Sequence, residues 1–249
     1  MLYATITYSK DDHIAHLTLN RPEADNAVNQ QMAQELEAVC RQINQDSDIY
    51  VVMVTGTGTK AFCGGGELAS PESGSYGAAA TIAGLNQPVI AAINGDALGQ
   101  GLELALSCDI RLASNKAKFS LPQVAKGLIP RDGGTQRLSR LVGKGKALEL
   151  ILTADVIDAE EALAIGLVNR VMAQEELAAE AEAMAKNIAA KGPIALRYAK
   201  EAVNKGLDLT LEQGLRLESD LYLLLHTTDD RTEGIRAFLE KKPPQFKGQ

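Results

Sequence analysis

The sequence predicts an α/β protein. Three observations carry that reading: a nearly continuous apolar run at residues 49–55, two further apolar runs at 89–94 and 109–113 around a helix-like segment, and a second half that reads as helix after helix. An unbroken apolar run suits a strand buried on both faces of a mainly parallel sheet. Strand, turn, helix, strand is the βαβ order of an α/β core.

The elements follow in order. Residues 3–8 and 14–20 are rich in β-formers and flank Lys10-Asp11-Asp12, which predicts an antiparallel hairpin. After Arg21-Pro22, Asn29 is placed to cap a helix whose apolar positions Met32, Leu36, Val39 and Ile43 fall on one face. The IYVVMVT run of residues 49–55 ends at Gly56, and residues 89–94, 99–107 and 109–113 then read strand, helix, strand. Beyond residue 130, segments 144–152, 158–165, 174–190, 193–205 and 209–225 have helical character, with a short strand expected at 167–171. Asp158 with Glu161 makes a capping-box-like start. No Ser/Pro/Gly-rich linker divides the halves, so one α/β core with a helical C-terminal section is expected.

Composition excludes several functions. With 45% hydrophobic and 23% charged residues over a length of 249, the chain is neither disordered nor a disulfide-packed miniprotein. A net charge of -7, without a basic run, argues against a nucleic-acid backbone as partner. Cys40, Cys63 and Cys108 form no CxxC pair and read as reduced thiols, not as a zinc site. His13, His16 and His226 are too few and too scattered for a Ser-His or His-rich metal mechanism. No stretch supplies the ~18 uninterrupted apolar residues of a membrane helix: the most apolar one, residues 88–108, contains Asn94, Asp96 and Glu103. The N-terminus opens on a strand-like pattern without a basic-then-apolar leader, so no membrane association and a cytoplasmic location are expected.

Two glycine-rich turns follow expected strands. Gly56-Thr57-Gly58-Thr59-Lys60-Ala61 matches a loose dinucleotide pattern, but that pattern requires a helix at the turn, and Gly64-Gly65-Gly66 follows instead. Three consecutive glycines let the backbone approach a ligand and present its N–H groups. The second turn, residues 94–101, runs into Leu102-Glu103-Leu104-Ala105-Leu106, so free N–H groups at a helix start make a site for negative charge. Glu103 is the one carboxylate in that helix; it is either a surface or paired Glu or a functional acid.

At this point the residues resemble a known family. Leu19-Asn20-Arg21-Pro22 with Asn26-Ala27, Ala61-Phe62-Cys63-Gly64-Gly65-Gly66-Glu67-Leu68, residues 88–95 and 97–105, Cys108-Asp109-Ile110-Arg111, Gly127-Leu128-Ile129-Pro130, Gly133-Gly134-Thr135-Gln136-Arg137-Leu138 and residues 233–242 are similar to the crotonase superfamily, the enoyl-CoA hydratase/isomerase family. The likeness covers nearly the whole chain, in the family's order and spacing. It implies a crotonase-like ββα-spiral core at residues 1–190 and a C-terminal helical trimerisation region at 191–249, assembled as a homotrimer or a dimer of trimers. It also implies an acyl-CoA thioester substrate, with coenzyme A part of that substrate and no separate cofactor.

Carried over residue by residue, the resemblance places the two thioester-oxygen donors at the backbone N–H groups of Gly66 and Gln100. Most relatives carry glycine where Gln100 stands. It makes Ala24, Asp25, Gly64 and Leu68 candidates for the adenine-binding backbone, with Asp25 a departure because coenzyme A phosphates are negative. It makes Phe238 and Lys241 the pair that a neighbouring subunit lends to the adenosine and its 3′-phosphate; otherwise they are one core Phe and one solvated Lys. Family hydratases use two Glu residues for acid–base work on water and the α carbon. The first matches Glu103; the second falls at position 123, which is Gln. An amide orients a partner by hydrogen bonds but does not exchange protons near neutral pH.

Three readings follow: a hydratase working through Glu103 alone, a double-bond isomerase in which one carboxylate moves a proton between carbons, and an acyl-CoA-binding protein without turnover. Asp132 is either a displaced second carboxylate or, as favoured here, a structural Asp paired with Arg131 or Arg137. The acyl-pocket lining is expected from the Ser-, Gly- and Ala-containing residues 69–85.

Overall fold

The computed structural model describes residues 3–66 and 77–249. The chain opens with an antiparallel hairpin of β1 (Ile6–Asp11) and β2 (Ile14–Leu19), turned by Asp12 and His13, both at positive φ. The turn falls slightly later than the sequence suggests, and residues 3–5 lie outside the strand. A 3-10 turn at Pro22–Ala24 leads to α1 (Gln30–Gln45), where the Asn29 side chain accepts from the Met32 N–H and Met32, Leu36, Val39 and Ile43 are buried. Then come β3 (Val51–Gly56), β4 (Ala61–Cys63), α2 (Ala78–Ala83), β5 (Val89–Ile93), β6 (Asp96–Leu98), α3 (Gln100–Ser107), β7 (Ile110–Ser114) and β8 (Lys118–Ser120). The second half contains α4 (Gly134–Val142), α5 (Lys144–Thr153), β9 (Ile157–Asp158), α6 (Ala159–Ala164), β10 (Arg170–Met172), α7 (Leu177–Ala189), α8 (Pro193–Gly206), α9 (Leu211–Leu225) and α10 (Asp229–Glu240).

Ten strands form two sheets among the described residues. The larger runs β1-β2-β3-β5-β7-β10, parallel from β2 onward. Its inner face, including Leu17, Val52, Val54, Ala91 and Ile93, joins the main core with α1 and α3. Its outer face, Ile14, Val51, Ile90, Ala92 and Leu112, is covered by Leu177, Ala181 and Ala185 of α7. Apolar cover on both sides is why residues 49–55 have no alternating pattern.

The smaller sheet runs β4-β6-β8-β9, with β4, β6 and β8 mutually parallel. The sequence reading missed these strands. Each is too short to show a period-2 pattern. They nevertheless aim three successive strand ends at one place.

Two buried asparagines hold the turns before β4. Asn94 Nδ2 donates to the carbonyls of Gly56 and Gly58 while its Oδ1 accepts from the Gly56 N–H; Asn26 Nδ2 donates to the carbonyls of Thr57 and Ala61. The Gly56–Lys60 turn therefore leads into β4, which occupies the place where a nucleotide-binding helix would have to start. No described helix is long and apolar enough to cross a membrane.

In the C-terminal section, α8 docks on the core through Lys200, whose ammonium lies 2.8 Å from both the Asp109 carboxylate and the Gln87 carbonyl. Thr210 and Gln213 form a capping box at the start of α9. The three cysteines are free and buried.

Candidate active site

The ends of β4, β6 and β8 meet. β4 runs into Gly64-Gly65-Gly66, β6 into Gly99 and α3, and β8 into a 3-10 turn at Pro122–Lys126 that carries Gln123. Ligands of open α/β sheets gather at the carboxyl ends of parallel strands. The close fit of α3 against β4 needs glycine: a Cβ on Gly101 would stand 1.9 Å from the Cys63 carbonyl oxygen. Gly99, at positive φ, turns the chain into the helix.

Gly66 forms a lone parallel bridge with Val28, in which the Val28 N–H donates to the Gly65 carbonyl. The N–H groups of Gly66 and Gln100 have no acceptor among the described residues. They stand close together, since a Cβ on Gly66 would be 3.5 Å from the Gln100 Cβ. Gln100 begins α3, so the helix dipole adds to its donor strength. Backbone donors left without an acceptor among the described residues are the kind of group that holds a developing oxyanion.

Glu103, one turn into α3, is only 2% exposed. The surface-Glu reading is thereby excluded. Its Oε1 accepts from the N–H of Asp132 at 2.7 Å and of Gly134 at 2.9 Å, and its Oε2 accepts from Gln123 Nε2 at 3.2 Å. Gly134 is the first residue of α4, so the carboxylate sits on a second helix N-terminus. Burial pushes the Glu103 carboxyl above its ordinary value, the largest effect, against the pull of the Gly134 and Asp132 N–H groups. The Asp132 charge adds to the rise and Arg137 opposes it. A carboxyl raised in this way is suited to take up and return a proton.

Asp132 departs from expectation. Its carboxylate does not pair with Arg131 or Arg137; it accepts from the Ala79 N–H at 2.9 Å, the Ala80 N–H at 3.3 Å and Gln100 Nε2 at 3.2 Å. Arg137 bonds the Asp132 carbonyl instead. The physical reason lies in α2, whose N-cap Gly77 has no side chain; Asp132 caps it from afar. The side chain thus caps α2 and meets the Gln100 amide, and neither partner is one of the expected arginines. Sequence reasoning also missed the two N–H donors that hold Glu103; the Gly133-Gly134 pair before a helix was the available signal.

The Gln123 amide reaches Glu103, and its Oε1 is buried without a hydrogen-bond partner among the described residues. Asp25, at positive φ, gives its carbonyl to the Gly64 N–H at 2.7 Å, and Ala24, half-buried, ends the preceding 3-10 turn. The Asp25 carboxylate is paired by Lys60 at 2.8 Å, which offsets the negative charge that set it apart. Leu68 lies outside the described residues, as do residues 69–76 of the expected pocket lining. Phe238 is 82% exposed, not a core residue, and Lys241 caps α10; both lie in the C-terminal section. Cys63 is buried, its thiol pushed up to about 11 by that burial, and no base stands beside it among the described residues. His13 stacks on Tyr50, and His226 packs edge-on against Tyr222. No group of three or more described His, Cys, Asp or Glu residues is arranged to hold a metal.

The sequence profile of the enoyl-CoA hydratase/isomerase family matches residues 9–249. The crotonyl-CoA hydratase of Syntrophomonas wolfei is 41% identical over 257 aligned positions, covering 99% of each chain. The short-chain-enoyl-CoA hydratase of Clostridium acetobutylicum is 40% identical and covers 95% of each. The crystal structure of an enoyl-CoA hydratase from Bacillus anthracis superposes with a TM-score of 0.94 at 41% identity, covering 99% of this chain and 100% of that one. The chain therefore belongs to the enoyl-CoA hydratase/isomerase family and has the crotonase fold. It is an enzyme of the hydro-lyase type that this family comprises alongside its isomerases.

Proposed function

We propose that this protein hydrates the double bond of an unsaturated acyl-CoA thioester with Glu103 as its only carboxylate. The thioester oxygen sits between the N–H groups of Gly66 and Gln100, which places the reacting carbons at Glu103. Glu103 takes a proton from water as the oxygen bonds to the β carbon. The double-bond electrons move toward the thioester, and the resulting enolate oxygen is held by the two donors. Glu103 then gives the proton to the α carbon, which restores the carbonyl and balances the addition of one water. Donors of this kind are worth about 2.7–4 kcal/mol of barrier each.

The observation that carries this reading is the Gln123 amide, bonded through Nε2 to Glu103 and left with a buried, unpaired Oε1. A water that donates to Gln123 Oε1 is held where Glu103 can deprotonate it. The amide supplies position and Glu103 supplies the proton chemistry.

Isomerisation is the second reading, favoured by the lack of a second carboxylate at position 123: Glu103 would remove a proton from one carbon and return it to another. Incubation with crotonyl-CoA and with linear, branched, cyclic and aromatic enoyl-CoA thioesters, read by mass, separates the two. Hydration adds the mass of one water; isomerisation leaves the mass unchanged. Binding without either would favour a non-catalytic role.

The remaining assignments belong to the same proposal. Ala24, Asp25, Gly64 and Leu68 contact the adenine portion of coenzyme A. Residues 191–249 assemble a homotrimer or dimer of trimers, supported by the exposed Leu207, Leu211 and Leu239 on that section. Phe238 and Lys241 would then reach the adenosine of a neighbouring subunit. The reaction needs no metal or separate cofactor, and buried free thiols suit a cytoplasmic setting.

A further inference from the structure

The side chain of Gln100 has no part in the oxyanion scheme, which uses only its backbone. Yet it is placed with care. Its Oε1 lies flat over Gly66, where an added Cβ would come within 2.1 Å of it, and its Nε2 donates to Asp132 Oδ2. Asp132 is 5% exposed and is fixed by the N–H groups of Ala79 and Ala80 at the start of α2. Its own N–H holds Glu103 Oε1. Gly66, the Gln100 amide, the Asp132 carboxylate and Glu103 therefore form one continuous wall from the oxyanion donors to the base. On the other oxygen of Glu103 stands Gln123.

We infer that the Gln100–Asp132 pair is the specificity-determining wall of the acyl site and restricts it to short acyl groups. This rests on the acyl-CoA reading above. An acyl tail that leaves the β carbon past Glu103 has Gln123 on one side and the Gln100–Asp132 pair on the other. Methylene groups that need that space must displace the Gln100 amide, and the buried Asp132 carboxylate then loses a hydrogen bond that an apolar tail does not replace. Glycine at position 100 would open the space over Gly66 and leave Asp132 to α2 alone.

The test is the affinity of the full-length protein for butyryl-, hexanoyl- and octanoyl-CoA by calorimetry, for wild type, Gln100→Gly and Asp132→Ala. The wild type is expected to bind octanoyl-CoA at least about tenfold more weakly than butyryl-CoA, the scale of one or two misfitted methylenes. In Gln100→Gly that ratio is expected to shrink at least about fivefold. The ratio of kcat/KM for crotonyl-CoA over trans-2-octenoyl-CoA should shift in the same direction, and a general loss of oxyanion stabilisation cancels from it. A length ratio unchanged in Gln100→Gly overturns the inference, as does a wild type that favours octanoyl-CoA. Should Asp132→Ala fail to fold for want of its cap on α2, Gln100→Gly decides alone. Absence of turnover on every ester would count against the hydratase reading, while the calorimetric ratio would still judge the wall.

Discussion

Glu103 and Gln123, twenty residues apart on separate elements, meet at 3.2 Å, with the amide nitrogen donating to the carboxylate. The remaining atoms of this contact are unequal. Glu103 Oε1 accepts two backbone N–H groups, whereas Gln123 Oε1 is buried and unpaired among the described residues. The pair is thus asymmetric in what it can still bind.

That asymmetry makes Glu103→Gln a clean test of the base. The new amide keeps its oxygen on the Asp132 and Gly134 N–H groups and turns its NH₂ toward Gln123, which can flip to present the unpaired oxygen. The fold should therefore survive. Turnover is expected to fall by about 10²–10⁴-fold, the usual worth of a positioned general base, while acyl-CoA affinity changes by a few-fold at most. Steady-state kinetics beside calorimetry checks it; retention of most activity would place the base elsewhere.

The same substitution makes a stability prediction with a definite sign. Burial raises the Glu103 carboxyl, so the folded state holds that proton more tightly than the unfolded chain does. Its contribution to stability is full below the unfolded value and is lost as pH rises through the raised one. At neutral pH and above, Glu103→Gln should melt no lower than wild type, and the difference should move against the variant on acidification. A variant that melts lower at every pH contradicts this.

Gly101 carries a structural prediction. A Cβ there meets the backbone carbonyl of Cys63, not a flexible side chain, so Gly101→Ala must push α3 away from β4. The expected cost is about 1–3 kcal/mol of stability. Because α3 begins at Gln100, the oxyanion donor moves with it, and kcat should fall more than the melting temperature suggests. Thermal melts and kinetics on one preparation check both parts.

The α1 stripe, the doubly buried β3, the glycine run after β4 and the start of α3 were legible because each rests on local signals: periodicity, consecutive glycines, good helix formers after a glycine turn. The β4-β6-β8-β9 sheet was not, because strands of two or three residues have no period to read. α4 escaped for another reason: it is only nine residues long, and it starts at a glycine pair without a capping side chain. Asp132 was misassigned because its partners, Ala79 and Ala80, lie more than fifty residues away. Arginines adjacent in sequence suggested a pairing that capping of α2 overrides.

Asp132 also bears on pH dependence. Its charge adds to the rise of the Glu103 carboxyl, after burial. Hydration requires Glu103 ionised, so kcat/KM should fall on the acid side as pH drops through that raised value. Asp132→Asn removes the charge, and the acid limb should then move to lower pH. A pH–rate profile for both proteins checks the direction; a limb that stays in place would mean that burial alone sets it.

Gln123→Glu would set a carboxyl within hydrogen-bond distance of Glu103 Oε2, where each group strengthens the other's hold on a proton. One carboxylate could then activate water while the protonated partner supplies the α carbon, relieving Glu103 of both tasks. Hydration of crotonyl-CoA is expected to rise at least about tenfold at the optimum. The pair titrates as a unit, so the gain should be confined to a band of pH and vanish when both groups are ionised. If rates stay unchanged from about pH 5 to pH 9, while Glu103→Gln still abolishes turnover, a two-group hydration scheme does not fit this pocket. Proton transfer by Glu103 alone between two carbons, the isomerase chemistry, would then account better for an amide at position 123.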